Sequence, residues 1–167
     1  TFTAKPFEGL TINGSYAYND AHLTQTVPEL LKVEGGAVDA LAGARLPGST
    51  KNSGSLGAVY ELPVNERDSM VFTWTATYTG NILSRVGALG NGEVLPAYTV
   101  HRASITYKLG PDLEFRAYAD NIFDKFAVTS VGNDLSRRIV NDGIVSRYYA
   151  NNVLSPRKFG VEFTKRF

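Results

Sequence analysis

The 167-residue sequence contains no cysteine, one methionine and one tryptophan. Without cysteine there is no disulfide framework, no thiolate metal site and no thiol nucleophile. Charge of one sign is also missing: 17 Lys and Arg against 16 Asp and Glu leave a net charge of +1. A nucleic-acid binder needs a basic stripe to neutralise phosphates, so no nucleic-acid partner is expected. No stretch approaches 18 uncharged apolar residues, which excludes a membrane-spanning helix, and Thr1-Phe2-Thr3-Ala4-Lys5 is not a signal peptide. What is present is the composition of an ordered protein, with 43% apolar residues and 16 glycines.

By mean hydropathy the chain looks soluble, but membrane β-strands alternate and escape such averages. Periodicity is the better measure here, because apolar residues recur at every second position in most well-patterned segments. Phe159, Val161, Phe163, Lys165 and Phe167 share one parity, and Lys158, Gly160, Glu162, Thr164 and Arg166 the other. Met70, Phe72, Trp74, Ala76 and Tyr78 alternate with an almost unbroken row of threonines. Threonine and aromatic residues both suit a pleated surface. Leu10 to Tyr18, Ser55 to Leu62, Arg102 to Leu109 and Leu113 to Asp120 repeat the pattern, the last two as a hairpin around Gly110-Pro111-Asp112. With Phe2 and Ala4 ahead of Pro6-Phe7-Glu8-Gly9, the pattern predicts seven strands.

Connection lengths alternate as well. Pro6 to Gly9, Pro63 to Ser69 and Gly110 to Asp112 are short, whereas 21–52, 81–96 and 122–156 are long and rich in glycine. Pro28 to Lys32 leaves room for a short helix, stopped early by Gly35-Gly36. Short turns on one edge and long loops on the other define an all-β, antiparallel up-and-down meander, the layout of an outer-membrane barrel.

The apolar side of such a sheet faces either a protein core or lipid. Three features favour lipid. The strands have the length a tilted bilayer crossing requires. The opposite face carries mainly Thr, Ser, Asn and Gly, as the wall of a hydrated lumen does. Aromatics stand at strand ends, at Tyr18, Tyr60, Tyr78, Tyr107 and Phe167, where a ring rests at headgroup level. Lys165, on the apolar side, is then expected at the rim, snorkelling outward.

Several of these segments together resemble the C-terminal part of a TonB-dependent outer-membrane receptor. Asp120-Asn121-Ile122-Phe123-Asp124-Lys125 is similar to the family's box at the end of the penultimate strand, and Ser155-Pro156-Arg157-Lys158-Phe159-Gly160-Val161 through Arg166-Phe167 resembles its closing strand. Gly43 through Leu56 looks like a passage from loop into strand, Pro96-Ala97-Tyr98-Thr99-Val100 like the entry to the strand after it, and Pro6-Phe7-Glu8-Gly9-Leu10 like an earlier turn. The resemblance implies that residues 1–167 are one segment of about seven transmembrane strands from a barrel of roughly 22, with the plug domain and the N-terminal strands outside it. An even-stranded single-chain barrel ending on the periplasmic side does not fit seven strands, so a self-contained small barrel is not expected.

Function follows by the same implication: uptake of a scarce solute, most often a ferric siderophore, across the bacterial outer membrane, energised by TonB through a box that this segment lacks. Lipid and the barrel-assembly machinery are the other implied partners, with Phe159, Phe163 and Phe167 as the assembly signal. Asn121 and Asp124 are expected to serve strand-end hydrogen bonding. Loop residues suited to an anionic or aromatic chelate are Arg137, Arg138, Arg147, Tyr148 and Tyr149.

No enzyme is expected and no cofactor is implied. His22 and His101 lie far apart without a triad pattern, the glycines Gly87, Gly90 and Gly92 form no phosphate cradle, and Asp134 and Asp142 lack calcium-loop spacing. The competing reading is a soluble β-sandwich binding module, which requires a second layer over the apolar face and charged outward positions.

Overall fold

The computed structural model describes residues 1–33, 36–84, 94–131, 138–141, 144–147 and 151–167. Seven strands form one antiparallel sheet in chain order: β1 (Phe2–Ala4), β2 (Leu10–Tyr18), β3 (Asn52–Pro63), β4 (Ser69–Thr79), β5 (Tyr98–Leu109), β6 (Leu113–Asp120) and β7 (Lys158–Lys165). Every expected strand is there, and the short and long connections fall where the alternation placed them.

The short turns are held by side chains suited to them. Asn65 Oδ1 accepts from the backbone N–H groups of Arg67 and Asp68 at 2.8 and 2.9 Å, an Asx turn between β3 and β4. Gly110 follows β5 with φ of 60°, a left-handed conformation that glycine adopts without a Cβ penalty. Its N–H donates to Asp68 Oδ1 at 2.9 Å, which ties two neighbouring turns together.

Register decides the faces, because directly paired residues point the same way. One row runs Leu10, Tyr60, Phe72, Ile105, Ala117 and Val161 across β2 to β7. The next, nearer the short turns, carries Leu62, Met70, Tyr107, Phe115 and Phe163. All the apolar alternation therefore converges on a single side. Phe7, Tyr60 and Phe72 make a chain of ring contacts there, with centroids 6.0 and 6.4 Å apart, and Phe115 meets Phe163 at 5.1 Å.

Nothing among the described residues covers that side. Phe159, Val161 and Phe163 are 73%, 85% and 60% exposed, and among the described residues the buried hydrophobic ones are Ala40 and Leu95. A sandwich would divide its strands between two facing sheets and bury this surface between them. With all seven in one sheet, the sandwich reading is set aside.

The long connections hold more order than expected. Among the described residues, four two-stranded ribbons rise from them: Val27–Val33 with Gly36–Ala40, Ile82–Leu83 with Val94–Leu95, Val128–Val131 with Asn151–Val153, and Arg138–Asn141 with Ile144–Arg147. The first replaces the short helix at Pro28 to Lys32. Five residues cannot repay helix nucleation, whereas a returning strand pairs Leu31 with Val38 and Lys32 with Ala37.

Candidate functional site

The polar face is built by the other parity of the same strands. Ser15, Ser55 and Thr77 stand in one row, with Ser15 and Ser55 hydroxyls 2.8 Å apart, and Thr73, Thr75 and Thr79 extend the hydroxyl surface along β4. Charges gather on β5 to β7 and are paired across strands. Arg116 meets Glu162 at 3.1 Å, Arg166 meets Glu114 at 3.1 Å, and Lys108 reaches Glu61 at 3.2 Å, where Ser69 also donates to the same carboxylate oxygen. Each pair is half-exposed, so each contributes at most about 1 kcal/mol. Their collective effect is a hydrated wall with little net field.

At the loop end of this wall lies a cleft of about 240 Å³. Arg102, Asp120 and Lys158 line it, together with Val100, Asn121 and the Leu154-Ser155-Pro156 segment. Asp120 is the direct cross-strand partner of both Arg102 and Lys158, and Arg102 Nε lies 3.4 Å from Asp120 Oδ1. Sequence reading missed this grouping. The alternation places all three on the polar side, but only register brings them to one point.

Beneath the last long connection, the Asn121 to Lys125 box closes a clamp. Asn121, 4% exposed, donates through Nδ2 to the carbonyls of Lys125 and Ser155, both at 3.0 Å, and its Oδ1 accepts from Lys125 N–H at 2.8 Å. Asp124 Oδ1 accepts from Arg157 N–H at 2.8 Å. Asn121 and Asp124 both have positive φ, 49° and 51°, which Asn and Asp tolerate better than other side chains. Strand-end hydrogen bonding, as expected, is their work.

Arg45 makes a second cross-connection that sequence did not single out. Its guanidinium donates to Ser49 carbonyl at 2.6 Å and to Asn81 Oδ1 and carbonyl at 2.7 and 2.5 Å, joining the connection after β2 to the one after β4.

Of the five loop candidates, the described residues bring only two opposite each other. Arg138 and Arg147 are direct backbone partners at the open end of their ribbon. Arg137, Tyr148 and Tyr149 lie outside the described residues, as do Asp134, Asp142, Gly87, Gly90 and Gly92. His22 sits in an isolated bridge with Arg45, and His101 packs on the apolar side between Trp74, tilted at 5.7 Å, and Phe123, edge-on at 4.9 Å. Phe159 and Phe163 share the apolar side of β7, and Phe167, exposed two residues beyond the strand, has Lys165 Nζ 5.0 Å from its ring.

The family model described as "TonB dependent receptor-like, beta-barrel" matches residues 2–122. The chain belongs to this family. TonB-dependent receptors are outer-membrane transport proteins of bacteria, and in such barrels the apolar face meets lipid while the polar face lines the lumen, with turns periplasmic and long loops outside.

Among solved structures, this receptor barrel segment is similar to the siderophore receptor PiuA from Acinetobacter baumannii, with a TM-score of 0.68 and 16% identity over 97% of this chain and 20% of that one. It is also similar to the ferric-catecholate import receptor Fiu from E. coli K12, with a TM-score of 0.56 and 19% identity over 99% of this chain and 20% of that one. At these identities the likeness is one of fold. The chain spans about a fifth of the length of both. No curated protein matches it.

Proposed function

We propose that the chain is a C-terminal segment of a TonB-dependent receptor that imports a ferric siderophore through the bacterial outer membrane. One observation carries the reading: a seven-stranded meander in unbroken register, apolar and uncovered on one side, hydroxyl-lined and charge-paired on the other. The family match and the two siderophore-receptor neighbours support it. In this reading TonB acts on the rest of the receptor, and plug and earlier strands complete the barrel. The exposed row Phe159, Phe163 and Phe167 is the signal taken up by the barrel-assembly machinery.

A strain lacking the receptor, grown under iron limitation with single ferric siderophores, tests the transport reading. Restored growth on at least one of them, only when TonB is present, is the expected result. Import of no ferric chelate, with TonB-dependent import of an iron-free solute instead, would overturn the siderophore assignment. For the assembly signal, Phe167→Ala is expected to slow conversion to the heat-modifiable barrel form in detergent gels, and an unchanged rate would count against it.

A further inference from the structure

We propose that Arg102, Asp120 and Lys158 form an oxyanion-binding subsite on the lumen wall, at its extracellular end.

Placement comes first. All three side chains belong to the polar parity of β5, β6 and β7, and they stand in one cross-strand row, with Asp120 in the middle. Because this is the lumen side, a lipid headgroup has no access, and the ligand must be a dissolved anion entering from the loop end.

Charge balance singles the spot out. Elsewhere on the described polar face the charged residues of the strands, with Arg166 just after β7, form one-to-one pairs: Glu61 with Lys108, Glu114 with Arg166, and Arg116 with Glu162. At Asp120 one carboxylate stands between two cations, so the row carries an excess of one positive charge. The ion pair engages Arg102 through Nε at 3.4 Å. The Nη1–Nη2 fork is the edge of a guanidinium that holds a carboxylate, catecholate or phosphate in two parallel hydrogen bonds.

The cleft has the right size for one such group. Its volume, about 240 Å³, admits a single ring or oxyanion but not a whole chelate. Its floor is rigid, because Asn121 holds Ser155 from below and Asp124 holds Arg157. Such bracing keeps the cations in place before the anion arrives, which lowers the ordering cost of binding. The subsite deepens the uptake reading by naming the chemistry of one contact, and it rests on that reading only for the biological source of the anion.

The test uses the detergent-solubilised receptor that contains this chain, with inorganic phosphate as probe and binding read by ³¹P line broadening. Heat-modifiable mobility confirms a folded barrel for each variant. Arg102→Gln and Lys158→Gln are expected to weaken phosphate binding about three- to tenfold each, and Asp120→Asn to tighten it by a similar factor. The opposite sign at Asp120 separates an electrostatic site from a structural role, in which all three changes act in the same direction. Absence of saturable binding to the folded wild-type receptor, or weakening by all three substitutions, overturns the proposal. Absence of ferric siderophore import by the wild-type receptor, with the charge-ordered phosphate response intact, removes the uptake reading and leaves the subsite; import without that response removes the subsite alone.

Discussion

Asp124 and Arg157, separated by the whole of the last long connection, are joined by a hydrogen bond of 2.8 Å from the Arg157 N–H to Asp124 Oδ1. Together with the Asn121 bond to Ser155, it brings the two ends of that connection to one point at the barrel rim.

Asn121→Ala therefore removes three hydrogen bonds from a nearly buried site and leaves a left-handed backbone without its favoured side chain. The expected loss is about 2–3 kcal/mol. Measured by denaturant unfolding in detergent, it should exceed the loss for Asp124→Ala, whose bond is exposed. Equal small losses would show that the clamp contributes little.

Acid should loosen the turn side in a defined window. Asp68 has its carboxyl lowered below the ordinary 3.8, first by the hydrogen bond from Asn65 and then by the Gly110 N–H. A depressed carboxylate adds stability that is complete above its unfolded value and lost as pH falls through the lower folded one. Asp68→Asn should remove that acid-dependent part, so wild type and variant should differ at neutral pH and converge below the folded pKa. Parallel stability curves across the acid range would contradict the linkage.

Val161 distinguishes a membrane setting from an aqueous one. It is 85% exposed in the middle of β7, between Phe159 and Phe163 on the outer face. On the lipid side near mid-depth, Val161→Arg is expected to cost about 2–4 kcal/mol. On a water-exposed sheet the same change would be almost neutral. Refolding equilibria in lipid vesicles give the measurement.

Gly160 lies directly across from Tyr118, and a Cβ added there would enter the tyrosine ring. Gly160→Val should destabilise by about 1–3 kcal/mol through overpacking. Tyr118→Ala in the same chain should recover most of it, an interaction that a double-mutant cycle reads directly. Additive losses would mean that the ring moves aside freely.

Much of the barrel was legible because a strand has a period of two and a short turn has its own chemistry. Phe159 to Phe167, Met70 to Tyr78 and Gly110-Pro111-Asp112 identify their elements from local pattern alone. The ribbon at Val27–Val33 was not legible, since Leu30-Leu31-Lys32 favours helix locally and only the returning Gly36–Ala40 strand decides otherwise.

By itself, the sequence determined the strand pattern, the turn chemistry and the two-sidedness of the sheet. These rest on covalent geometry and on the contrast between apolar and polar side chains, and both are local. Tertiary structure alone decided that all seven strands share one uncovered sheet, that Asp120 stands between Arg102 and Lys158, that Arg45 links two connections, and that Asn121 reaches Ser155. Each of those depends on pairing between residues distant in the chain, and for Arg102, Asp120 and Lys158 a one-residue slip of their strand would turn the side chain to the other face.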